Sequence, residues 1–94
     1  MTLSADRSQT VALQALGWLV GNEDLLPVFL GATGTSETDL RERAGDPEFL
    51  GAVLDFLMLD DAWIVEFCDT CVVGYEDPMM ARVNLPGGDR VHWT

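Results

Sequence analysis

Apolar side chains along this chain recur at helical spacing, and the densest run lies in the middle, DPEFLGAVLDFLMLDDAWIVEFCDTCVV from Asp46 to Val73. Asp46 followed by Pro47 is a helix start. The carboxylate can accept from N–H groups of the first turn, and proline at the first helical position gives up an N–H that has no partner anyway. From Phe49 to Leu59 only Gly51 and Asp55 interrupt the apolar run, so with Glu48 the polar positions form one narrow stripe at i, i+3, i+7. A helix apolar around most of its circumference belongs in the middle of a bundle. Asp60 and Asp61 then break the run and cap a second helix. In it Ile64, Phe67, Cys68 and Cys71 share one face, with Glu66, Asp69 and Thr70 on another. The pattern predicts a helical hairpin over about 47–59 and 61–73.

The flanking segments read the same way. Ser4 caps a first helix that runs to about Val20, with Ala12, Ala15, Leu16 and Leu19 on its apolar side, and Gly21 ends it. Asn22 or Asp24 caps a second helix whose apolar residues are Leu25, Leu26, Phe29 and Leu30. Pro27 must sit in its first turn, and Gly34 stops it. Ser36 with Asp39 three residues on forms a capping box for a helix through about Ala44, closed by Gly45. On this helix Glu37 with Arg41, and Asp39 with Arg43, are i, i+4 pairs, each worth a few tenths of a kcal/mol. Gly74 closes the hairpin's second arm, and Asp77-Pro78 repeats the start signature for a short helix from Met79 to about Leu85. After Pro86-Gly87-Gly88 the chain is expected to run extended over 87–94, with Val91-His92-Trp93 packing its indole into a groove of its own or a neighbouring chain. The fold class is therefore all-α, a bundle of five to six short helices in a single domain over 1–94.

Composition sharpens this picture. At 94 residues and 48% apolar content the chain can bury about two thirds of its unfolded surface. Sixteen acidic residues face five basic ones for a net charge of −11, and all five are arginine: Arg7, Arg41, Arg43, Arg82 and Arg90. Without lysine there is neither a Schiff-base amine nor a phosphate-loop lysine. The acidic excess repels a phosphate backbone and an anionic bilayer, which argues against nucleic acid and membranes as partners. MTLSADRSQT lacks the basic and apolar regions of a secretory signal, and no apolar run reaches the roughly 20 residues of a membrane span. Two cysteines close together on one helix do not make a secreted disulfide framework. A soluble cytoplasmic protein is expected.

The order of signals LGWLVGNEDLLPVFLGATG, DLRERAGDPEFLGAVLDFLMLDDAWIVEFC, PMMARVNLPGG and a terminal HWT resembles domain-of-unknown-function family 3572, small uncharacterised bacterial proteins, over nearly the whole chain. The resemblance implies a small, soluble, helical protein and carries no activity, substrate or ligand with it. Cys71 stands outside the pattern that carries the resemblance, which weakens any motif built on the cysteine pair.

Candidate chemistry is sparse. Cys68-Asp69-Thr70-Cys71 has redox spacing, but it lies in the second half of its helix, where the dipole opposes a thiolate, and no βαβ context surrounds it. As half a zinc site it lacks a second pair, and His92 alone cannot complete four ligands. Two small hydrophobes on a core face are the simpler reading. Asp60-Asp61, Glu66-Asp69 and Glu76-Asp77 lack the alternating spacing of a calcium loop and read as caps and solvated faces. His92 lies too near the chain end to be positioned as a general base. No catalytic, cofactor-binding or metal residue is assigned.

Elimination leaves a non-enzymatic, acidic protein–protein interaction domain, with a homo-oligomer also open. Trp63, Tyr75, Met79, Met80 and Trp93 are its candidate contact surface, because aromatics and methionine are enriched at interface cores. The alternative is a small enzyme or metal-binding protein using clustered carboxylates.

Overall fold

Helix starts written into the sequence account for most of the architecture. The computed structural model describes residues 4–85 and places six helices among them: α1 (Ala5–Val20), α2 (Leu26–Thr33), α3 (Glu37–Arg43), α4 (Pro47–Leu57), α5 (Asp61–Cys71) and α6 (Asp77–Val83). Ser4 Oγ accepts from the Arg7 N–H at 3.0 Å, Asp46 Oδ1 from the Glu48 N–H at 3.0 Å, and Asp60 Oδ1 from the Ala62 N–H at 2.9 Å. At α3 the exchange is reciprocal, with the Asp39 N–H donating to Ser36 Oγ and the Ser36 N–H donating to Asp39 Oδ2, both at 3.1 Å. Each bond satisfies an amide that the helix leaves without a partner. The expected segment over 87–94, including Val91-His92-Trp93, lies outside the described residues.

Several boundaries shift for physical reasons. Asn22 Oδ1 accepts from the Asp24 and Leu25 N–H groups one turn early, so α2 itself begins at Leu26. At α6 the cap position falls to Glu76, while Asp77 Oδ2 accepts from the Gly74 N–H at 3.3 Å. Pro78 is fully buried in the first turn of that helix, where its missing N–H costs no hydrogen bond. Helix α5 turns at Val72 (φ 55°, ψ 53°) rather than at Gly74, because Val73 must enter the core while Val72 is 90% exposed. Helix α4 ends at Leu57, which leaves Leu59 in solvent. The i, i+4 ion pairs expected on α3 do not form among the described residues. Asp39 is committed to its cap, and Arg43 lies over the Phe49 ring at 4.8 Å and near Asp46 at 3.9 Å.

The hairpin of α4 and α5 is present, and α1 packs along α4 and α6 to complete the core. Buried Phe49, Leu50, Val53, Leu54, Phe56 and Leu57 make α4 apolar on most sides, as its sequence requires. Phe29 of α2 meets the edges of Phe49 and Phe56 at 6.1 and 5.1 Å, and Trp18 of α1 meets Phe67 of α5 at 6.1 Å. Asp55, which reads in the sequence as part of a polar stripe, is mostly buried and accepts from Arg82 Nε of α6 at 2.6 Å. A second clasp joins the same end of the bundle: Asn84 Nδ2 donates to Ser8 Oγ at 3.2 Å, and that hydroxyl donates to the Ser4 carbonyl at 2.8 Å.

Candidate docking groove

A concavity lies between α1, α2 and α3. It has a volume of about 450 Å³ and is lined by Leu13, Leu16, Gly17 and Val20 from α1, Leu26 from α2, and Glu37, Leu40, Arg41 and Ala44 from α3 and its end. The wall from α1 is a second apolar stripe, Leu13, Gly17 and Val20 at i, i+4, i+7, rotated away from the core face. The wall from α3 is Glu37, Leu40, Arg41 and Ala44, again one face of a helix at i, i+3, i+4, i+7. Leu16 and Leu40 are buried in the floor, whereas Leu13 and Val20 remain 47% and 49% exposed. Gly17 makes the notch between them: a Cβ added there meets nothing within 4 Å. Arg41 stands at the rim without an ion-pair partner among the described residues, although Glu37 is one turn away.

A second depression continues from the same notch. It is lined by Gly17, Trp18, Gly21, Asn22, Glu23, Asp24 and Thr70, and has a volume of about 610 Å³. Here the C-terminal end of α1, which has no basic residue in its last turn, meets the carboxylates of Glu23 and Asp24. The indole of Trp18 is half-buried between the core and this depression.

The contact residues expected from sequence are distributed differently. Trp63 is partly buried and stacks on Phe56 at 5.0 Å with 21° between the rings, which makes it the edge of the core. Tyr75 is exposed in the turn before α6, where its hydroxyl donates to Asp69 Oδ1. That bond, and the Asp69 charge behind it, hold the phenol proton and raise its pKa above the ordinary value. Met79 is exposed on α6, Met80 is partly buried, and Trp93 lies outside the described residues. The single apolar face of Ala12, Ala15, Leu16 and Leu19 that periodicity shows on α1 gives no sign of the groove. Leu13 and Val20, flanking Gly17, were the available signal.

The remaining candidate chemistry is occupied by the fold. Cys68 is buried and its Sγ lies 3.5 Å from the Gly74 carbonyl. Burial, then the nearby Asp77 and Asp69 charges, push its thiol pKa up, opposite to what a reactive cysteine needs. Cys71, one turn on, is a free thiol and partly buried against the core. Among the described residues no three His, Cys, Asp or Glu side chains converge to hold a metal ion, and no helix is long and apolar enough to cross a membrane. Asp46, Asp60 and Asp77 are used as caps or turn acceptors, and Asp69 accepts from Tyr75. No curated protein and no solved structure matches this chain. A family model does match it, over residues 5–88, and the chain belongs to that family, described as protein of unknown function (DUF3572).

Proposed function

We propose that this protein is a non-enzymatic, cytoplasmic protein–protein interaction domain, and that the groove between α1 and α3 receives a helical segment of another protein. The carrying observation is the position of Leu13 and Val20. Isolated exposed apolar residues are ordinary on any surface, but these two line a concavity whose floor is already apolar and whose notch is a glycine. An open groove with walls spaced at helical periodicity fits the recognition mode in which an amphipathic helix lays its apolar face between two helices. The free thiols of Cys68 and Cys71 support a reducing compartment.

The reading shifts the contact surface from the one expected. Trp63 stacks on Phe56 and the Tyr75 hydroxyl is bonded to Asp69, whereas Leu13 and Val20 line a concavity together. The test is comparative affinity capture from the native host with wild type and Gly17→Leu. A partner recovered by wild type and lost with Gly17→Leu, at a melting temperature no lower than that of wild type, supports the groove. The same partners recovered by both would refute it.

A further inference from the structure

We infer that the segment received by the groove is a basic amphipathic helix, and that a lysine or arginine at one end of its apolar face enters the acidic depression at the C-terminal end of α1. This rests on the docking reading above and adds the chemistry of the partner. Gly17 lines both depressions, so they lie next to each other along α1 and one ligand segment can span the two. Their chemistry differs. The groove is apolar with Glu37 and Arg41 offsetting each other at its rim, whereas the second depression has Glu23 and Asp24 and no basic residue in its lining. Neither of those carboxylates has an ion-pair partner among the described residues.

Three independent sources of negative potential meet there. The α1 helix of 16 residues points its C-terminal end at the depression, with no basic residue in its last turn to offset the dipole. Glu23 and Asp24 are exposed beside it. Trp18 lines the same depression, and the π-face of an indole is the aromatic surface that best attracts a cation. Around all three, a net charge of −11 steers basic partners inward and repels acidic ones. The same charge argues against a second copy of this chain as the occupant, since each copy would bring −11 to the other. It also argues against an anionic lipid or a nucleic acid.

Gly17 makes the inference testable without unfolding the protein. The Cβ of a leucine there meets nothing within 4 Å, the substitution raises helix propensity, and the side chain projects where both depressions are lined by Gly17. Three designed peptides serve as probes, titrated against the isotope-labelled full chain by NMR. One is a Leu/Lys amphipathic helix, one has the same apolar face with Glu in place of Lys, and one is a scrambled peptide of the Leu/Lys composition. The expected result is saturable binding of the Leu/Lys helix alone, weakening with salt, with the largest shifts at Leu13, Gly17, the Trp18 indole, Glu23 and Asp24. Gly17→Leu should weaken it at least about tenfold, and Glu23→Gln with Asp24→Asn severalfold with a flatter salt dependence. Equal binding of the Lys and Glu helices in the groove would overturn the charge assignment and leave the docking reading standing. Binding of the Leu/Lys helix that ignores Gly17→Leu, or that the scrambled peptide reproduces, would overturn the proposal as nonspecific attraction. If neither helix bound, and Gly17→Leu captured the same host proteins as wild type, the inference and the docking reading would fall together.

Discussion

Helices α1, α4 and α6 and the pair α2 and α3 are built on different principles, and the groove lies where they meet. The first three pack against one another and are tied by Arg82 to Asp55 and Asn84 to Ser8. Helices α2 and α3 each insert one buried side chain, Phe29 and Leu40. Leu26 and Leu30 of α2 are only partly buried against the core, and Leu26 also lines the groove. A stable frame with a lightly attached arm is the arrangement expected of a binding surface, because the elements that adapt to a ligand come from the low-stability end of a structure.

The sharpest way to break the comparison is to truncate the frame. Leu54→Ala should cost about 3–5 kcal/mol, since Leu54 is fully buried on α4 and the packing around it closes in from several elements. A domain of this size has about 5–10 kcal/mol in total, so the variant should melt far below wild type, or not fold, by circular dichroism. Leu57→Ala should behave alike. Wild-type melting of both would mean that α4 is not the centre of the core.

Arg82→Ala comes next, at about 3 kcal/mol in urea titration, because it strands the mostly buried carboxylate of Asp55. Arg82→Met combined with Asp55→Leu should recover most of that loss. A double variant as unstable as the single one would show that the pair supplies more than its own mutual compensation.

Leu40→Ala probes the other region. It removes the main anchor of α3, about 2 kcal/mol by truncation, but the loss should appear as local opening. Amides of α3 should exchange faster while those of α1 and α4 keep their protection. Equal acceleration everywhere would erase the distinction between frame and arm.

Helix α3 also carries the pH dependence of the arm. The Ser36 N–H and hydroxyl, followed by the Arg43 charge, lower the Asp39 pKa below its ordinary value. A depressed folded-state pKa contributes stability that is present above the unfolded carboxylate value and is lost as pH falls through the folded one. The Ser36 amide resonance should therefore shift below the usual carboxylate range, and Ser36→Ala should weaken α3 by about 1 kcal/mol at neutral pH. An Asp39→Asn variant that kept the same titration of that resonance would assign it to another carboxylate.

What was legible in the sequence was local. Ser4, Ser36 with Asp39, Asp46 and Asp60 cap the helices they precede because a cap needs only a short polar side chain within three residues of an open amide. What was not legible depended on partners far along the chain. Asp55 looked like a break in an apolar run, and its partner Arg82 is 27 residues away. The groove was hidden for the same reason: Leu13 and Val20 acquire a shared role only when α3 is set opposite them, and periodicity within α1 gives no position for α3.

The smallest effect concerns how the two regions end their helices. Helix α2 stops on Gly34 at φ 69°, where the left-handed region carries no steric penalty, and α5 stops on Val72 at φ 55°, where a β-branched side chain does. The left-handed conformation costs a residue with a Cβ about 1–2 kcal/mol. Val72 recovers little of this through packing, since it is 90% exposed. Val72→Gly removes the steric cost and adds back about 0.5–1 kcal/mol of lost freedom from the unfolded chain, for a net stabilisation of about 0.5–1 kcal/mol. Gly34→Ala runs the comparison in reverse and should destabilise by about 1 kcal/mol, confined mostly to α2. Chemical denaturation with unchanged cooperativity reads both. If Val72→Gly instead weakened the fold, the freedom that glycine adds to the unfolded chain would outweigh the steric cost of valine at this φ, and the comparison with Gly34 would lose its basis.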